Sequence, residues 1–214
     1  MKLLSIDTTG PHCAAALIEG TAVHASRTEE MEKGQAERLF PMLAEMLAEE
    51  SWAWADLDLM AVATGPGNFT GVRIGVSAAR GLALSLRVQC RGVSILEALA
   101  FGHAGSVLAL ADGRRERLYA QNFSDGVKAS DANLITYEGV GARAQKDTRI
   151  VGYSSSTLAT RHGRSSIDAP DHPTPDTIGL AALAAGPSDV RPAPLYIRDP
   201  DASPSTDPVP RIIR

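Results

Sequence analysis

Over roughly its first hundred residues the chain changes hydrophobic period in a fixed order, and that order leaves few folds open. Residues 2 to 7, 12 to 19 and 21 to 27 carry clustered apolar and β-branched side chains, interrupted by the turn signals Gly10-Pro11 and Glu19-Gly20. They read as three short strands, close enough in sequence to form an antiparallel meander. From Gly34 to Glu50 the period becomes helical, with Leu39, Met42, Leu43, Met46 and Leu47 on one face. Pro41 lies inside this stretch and predicts a kink or a late start, because proline lacks the donor a helix interior needs. Leu59 to Thr64 reads as a buried strand. The loop Gly65-Pro66-Gly67-Asn68-Phe69 follows, and then a helix from about Gly71 to Leu86 with Thr70 as N-cap. A strand near Val88 to Gly92 leads to Ser94-Ile95-Leu96-Glu97, whose serine and glutamate form a capping box that opens a third helix.

The resulting order, β-β-β-α-β-α-β-α up to about residue 103, joins a meander to right-handed crossovers. It implies one mixed five-stranded sheet flanked by helices. This α/β order is that of the half-domain of the actin-like ATPase, or ribonuclease-H-like, fold. Residues 104 to 198 give strands near 106 to 111, 116 to 123 and 149 to 152, with helices near 154 to 161 and 176 to 185. They are expected to form a smaller second lobe, a reduced copy of the first. The segment from 199 to 214 is rich in proline and small polar residues and is expected to be a flexible tail.

Hydrophobic residues make up 44% of the 214 and charged residues 21%, as in an ordinary globular protein. Aromatic residues are only 5%, so alanine and leucine must fill much of the core. Lys plus Arg number 21 against 25 Asp plus Glu, a net charge of −4. That balance argues against the chain itself gripping nucleic acid, which needs clustered cations. Cys13 and Cys90 form neither a disulfide framework nor a CxxC pair and read as small buried hydrophobes in a reducing compartment. The apolar run at the start ends at Asp7, too short for a signal-peptide core. No stretch approaches the roughly 18 apolar residues of a spanning helix, so a cytoplasmic protein is expected.

Three places could carry chemistry. Asp7-Thr8-Thr9-Gly10, at the end of the first strand, and Asp112-Gly113, after the strand Val107 to Ala111, place an acid where an actin-like ATPase holds metal and phosphate. The same residues also simply end strands and make turns. Gly65 to Gly71 could aim amides at an anion on a helix N-terminus, or its glycines could serve a tight turn and close helix-sheet contact. It is not a P-loop, since no lysine precedes Thr70. Third, the helix after this loop carries Gly71, Gly75, Ala79 and Ala83 at four-residue spacing. Such a face invites close approach of another backbone, either the sheet beneath or a helix of a second subunit. Arg73 and Arg80 could give that contact a polar rim. The histidines His12, His24, His103, His162 and His172 include no HExxH and no pair spaced by three, so no metal site is expected. Gly152-Tyr153-Ser154-Ser155-Ser156 lacks the closing glycine of a nucleophile elbow.

Ile6-Asp7-Thr8, Arg38-Leu39 with Pro41-Met42, the block Gly65-Pro66-Gly67-Asn68-Phe69-Thr70-Gly71-Val72-Arg73-Ile74-Gly75 and Gly92-Val93-Ser94-Ile95-Leu96-Glu97 resemble the TsaB/YeaZ family in order and spacing. Asp112 with Glu116 and Tyr119, and Pro194-Leu195-Tyr196-Ile197-Arg198, extend the resemblance to about residues 2 to 198. It implies a two-lobed fold with vestigial nucleotide residues Asp7, Thr8 and Asp112, and Gly65, Gly67, Thr70 and Gly71 as a structural loop. It also implies a non-catalytic subunit that pairs with a TsaD homologue, with the ATPase TsaE in the complex. The complex, not this chain, would hold tRNA and transfer threonylcarbamoyl to N6 of the adenosine beside the anticodon in tRNAs reading ANN codons. Alone, the chain would form a homodimer. The first two helices would supply the interface, through Arg38, Leu39, Met42, Leu43, Met46, Val72, Arg73, Val76, Ala79, Arg80 and Ala83. No cofactor is expected, with residual nucleotide binding left open. Two enzyme readings stand beside this one: a small-molecule kinase or ATPase using Asp7 and Asp112 in an interlobe cleft, and a glycoprotease-type metallopeptidase, which the missing histidine pair argues against.

Overall fold

The computed structural model describes residues 1–186 and 190–197. The tail expected from residue 199, and Arg198 of the Pro-x-Tyr-x-Arg element, lie outside the described residues. The first sheet contains β1 (Lys2–Asp7), β2 (His12–Glu19), β3 (Ala22–Glu30), β4 (Leu59–Ala63) and β5 (Gln89–Val93), in the order β3-β2-β1-β4-β5. β1, β2 and β3 are the expected antiparallel meander, and β4 and β5 add parallel strands beyond β1. β3 runs three residues further than its hydrophobicity suggested. It is an edge strand with charged residues outward, so its end carries no apolar signal.

The second sheet holds β6 (Ser106–Asp112), β7 (Arg117–Ser124), β8 (Val127–Lys128), β9 (Asn133–Thr136), β10 (Arg149–Gly152) and β11 (Ser165–Ser166). Its order is β11-β10-β6-β7-β8, with β9 also on β7. β6 has an antiparallel partner on one side and a parallel one on the other, and β10 continues in parallel to β11. The senses are those of β1, β2, β4 and β5, so the second lobe repeats the first, with shorter strands beyond β6 and β7. β8, β9 and β11, at two to four residues each, were too brief to read from sequence.

Three apolar layers hold these sheets together. On one face of the first sheet, Leu4, Ile6, Cys13, Ala15 and Leu17 pack against α1 (Gln35–Glu49) and α2 (Phe69–Leu86). On its other face Leu3, Ala16, Ile18, Leu59 and Ala61 meet α3 (Ile95–Ala100) and α6 (Pro175–Ala184), and this core continues to Val107, Ala109 and Phe123 of the second sheet. The far side of the second sheet is closed by α4 (Val140–Arg143) and α5 (Ser155–Arg161), through Val140, Leu158 and Ala159. α6, though late in the chain, is therefore seated on the first sheet. The Ser5 hydroxyl donates to the Pro175 carbonyl at 2.6 Å, and a Cβ on Gly179 would stand 2.5 Å from Ile18. Arg91, buried in β5, donates to the Ala182 carbonyl at 2.5 Å, satisfying one of the last acceptors of that helix.

α1 passes through Pro41 and runs from Gln35 to Glu49 without the expected late start. Pro41 is exposed, so water can serve the Glu37 carbonyl that proline leaves without a donor. α2 begins earlier than expected, at Phe69, and its N-cap is Asn68 rather than Thr70. The Asn68 side chain accepts from the amides of Thr70 and Gly71 at 3.0 and 3.1 Å. Asparagine ranks at least as high as threonine at this position. The capping box is present as expected, with Ser94 accepting from the Glu97 amide and Glu97 from the Ser94 amide.

Candidate functional site

The periodic residues on the first two helices face inward. Leu39, Met42, Leu43, Met46 and Ala79 are fully buried, and Val72, Val76 and Ala83 nearly so, all within the core against the first sheet. Each large side chain among them contributes about 1.5–3 kcal/mol to folding by that burial, and of the eight only Leu39, at the floor of a groove between α1 and α2, borders a surface a partner could reach. For the apolar residues apart from Leu39, the expected interface therefore named the face that the sheet covers. A hydrophobic stripe marks the buried face, and here the sheet buries it. The four-residue spacing of small residues in α2 has the same cause, since a Cβ on Gly75 would stand 2.7 Å from the Thr8 hydroxyl and one on Gly71 would overlap the Thr8 carbonyl.

The outward side of the same helix pair does offer a surface. Ala36, Leu39, Phe40, Ile74, Ser77, Ala78, Gly81, Leu82 and Ser85 line a groove of about 560 Å3 between α1 and α2. Phe40 and Leu84 are 47% and 81% exposed. Of the three arginines expected at the interface, Arg38 is taken up within the chain, bridging Glu29 at 2.6 Å and Glu45 at 2.7 Å. Hydrogen bonds from Arg38 hold both carboxyls below the usual range. Arg73 lies 3.6 Å over the Phe69 ring and donates to the Tyr196 hydroxyl at 2.8 Å, tying the start of α2 to the closing segment of the chain. Arg80 is exposed.

The Gly65 to Gly71 loop lies directly on the turn after β1. The Asn68 amide donates to the Thr9 carbonyl at 2.6 Å and the Thr8 hydroxyl to the Gly71 carbonyl at 2.7 Å. A Cβ at Gly67 would overlap Thr9. Two amides at the start of α2 are already bonded to Asn68, so few donors remain there for an anion. The glycines here permit backbone to meet backbone.

Asp7 is 1% exposed, and its partners are residues that sequence reasoning missed. One carboxylate oxygen accepts from the Thr9 amide at 2.8 Å; the other accepts from His12 Nε2 at 3.1 Å and His172 Nε2 at 2.8 Å. The two rings stand edge-on with centroids 4.9 Å apart. Burial alone would raise the Asp7 pKa, but hydrogen bonds and charge from both histidines outweigh it and hold the carboxyl well below the usual carboxylate range. His12 is shifted upward: burial opposes its charge, and Asp7 more than compensates. One of these two partners was legible in the sequence. In the β1–β2 register Asp7 lies opposite Ala14, which puts His12 diagonally beside it on the same face. His172, 165 residues away, carries no such signal. Asp112, the acid of the second lobe, is exposed and accepts from the Arg114 amide at 2.8 Å.

A family model described as TsaD, tRNA N6-adenosine threonylcarbamoyltransferase, matches residues 25–171. The Bacillus subtilis protein named tRNA threonylcarbamoyladenosine biosynthesis protein TsaB is 31% identical over 159 residues, 71% of this chain and 69% of its own. The chain belongs to the TsaB/YeaZ family. A crystal structure from Pseudomonas aeruginosa, described as similar to the peptidase YeaZ, superposes with a TM-score of 0.73 at 28% identity, covering 92% of this chain and 99% of that one. The two-lobed mixed α/β fold is thus that of YeaZ. An uncharacterised Mycobacterium leprae protein is 32% identical over 213 residues, 95% of this chain, which spans only 56% of that relative's length. Among the described residues, no helix is long and apolar enough to cross a membrane.

Proposed function

We propose that this TsaB/YeaZ-family chain serves threonylcarbamoyladenosine biosynthesis on tRNA as a non-catalytic partner subunit, pairing with a TsaD homologue through the outer side of α1 and α2. The observation that carries this reading is the exposed groove between those helices, apolar at Phe40, Ile74, Ala78 and Leu82 and walled by small residues on α2. Such a surface is costly to leave in water and accepts a close-packed helix. The same face would mediate a homodimer when the chain is alone. With a net charge of −4, the chain would reach tRNA only through the complex, in which the ATPase TsaE also acts. The nucleotide reading of Asp7 and Thr8 is weakened by the packing around them. Two histidines occupy the carboxylate of Asp7, and Thr8 is sealed beneath Gly71.

The test uses neighbouring positions on one helix. Ser77→Glu and Ala78→Glu place a charge in the groove, and Val76→Glu places one in the core. Light scattering coupled to size exclusion, with and without the TsaD homologue, should show the first two folded but unpaired. The third should fail to fold, because an unpaired charge is buried. A tRNA modification assay with the same mixtures should lose activity in parallel. Retention of the complex by both groove variants overturns the assignment, and magnesium-dependent ATP turnover by the chain alone would replace it with the kinase reading.

A further inference from the structure

We propose that Asp7, His12 and His172 form a binding site for a divalent first-row transition cation, with zinc as the ion that suits them best. Their ligand atoms, one carboxylate oxygen and two imidazole nitrogens, all lie within 4.8 Å of one another. Both histidines turn Nε2 toward the same oxygen of Asp7, at 3.1 and 2.8 Å. A tetrahedral zinc ion about 2.0–2.1 Å from each ligand would hold ligand atoms roughly 3.3 Å apart. The two oxygen–nitrogen pairs need to open by only a few tenths of an ångström to admit the ion. Two imidazoles and one carboxylate are a borderline donor set, favouring zinc and its neighbours over magnesium or calcium, which take oxygen ligands.

The surroundings suit a cation as well. The other oxygen of Asp7 is fixed by the Thr9 amide, so the carboxylate is held in place without the ion. The His12 ring packs closely on Gly10, where a Cβ would stand 2.5 Å from it, so a side chain there would displace the ring. His172 has a side chain 36% exposed and provides the entry path. It sits in the loop leading from β11 to α6. An ion here would fasten that loop, and with it the helix covering the first sheet, to the end of β1. The fourth position would be open to water. The site stands apart from the partner-binding groove and does not depend on that reading.

The test is isothermal titration of chelator-treated full-length protein with zinc chloride, alongside cobalt titration followed by visible absorption, which reports tetrahedral coordination. The wild type should take up one ion per chain with a rise in Tm. His172→Ala, at a partly exposed position, should stay folded and lose more than about 100-fold in affinity, since even outer-shell partners of a metal are worth 10- to 100-fold. His12→Gln should lose binding likewise. His24→Ala removes a surface histidine beside Glu19 and Glu50 and should change nothing. No saturable uptake by the wild type, uptake that survives His172→Ala, or uptake abolished by His24→Ala would each overturn the assignment.

Discussion

The turn after β1 and the turn after β6 hold matching places in two sheets of the same strand order, and their local chemistry is the same. Each begins with an aspartate that accepts from the amide two residues on, at 2.8 Å in both cases. Their surroundings are opposite. Asp7, Thr8 and Thr9 are at most 1% exposed, roofed by the Gly65 to Gly71 loop and gripped by two histidines. Asp112 and the residues from Arg114 to Arg117 are exposed, and Arg114, Arg115 and Glu116 all adopt left-handed backbone. The difference teaches that the aspartate and its turn do not decide whether such a site is open. What is laid over the turn decides it, and in the first lobe that is backbone admitted by glycine.

The largest effect should come from lifting that roof. Gly71→Ala drives a Cβ into the Thr8 carbonyl, where backbone lies on both sides. A loss of at least about 4 kcal/mol is expected in urea denaturation, or no soluble protein at all. A mild loss would show the first turn to be looser than its packing implies. Next, Asp7→Ala should cost about 3 kcal/mol by leaving two histidines and an amide without their acceptor, while Asp112→Ala should cost under about 1 kcal/mol. Equal losses would break the contrast. Asn68→Ala removes the cap of α2 and should cost about 1 kcal/mol. Smallest of all, Arg115→Gly relieves a left-handed residue but loosens the unfolded chain, so thermal melts should agree with wild type within about 0.5 kcal/mol.

Much of the fold was legible because its signals are local. The β1–β2–β3 meander, the capping box at Ser94 and the strands β6, β7 and β10 of the second lobe each announce themselves within a dozen residues. The candidate site was legible only in part. Periodicity showed that Leu39, Met42, Val76 and Ala79 must be covered, but it cannot say by what, and the sheet rather than a partner covers them. The surface left for a partner, around Phe40, Ala78 and Gly81, has no period of its own. Sequence could not show His172 meeting Asp7, because that contact closes only when α6 returns to the first sheet.

That return has a bearing on how the protein is made. The first sheet is complete at Val93, yet one of its faces waits for a helix ending at Ala184. At typical ribosomal speeds of about 5–20 residues per second, the intervening stretch takes roughly 5 to 18 seconds to synthesise. Throughout that interval Leu3, Ala16 and Ile18 have no α6 to shield them. The nascent chain thus offers a greasy, half-finished sheet, which is the substrate that chaperones at the tunnel exit are suited to hold.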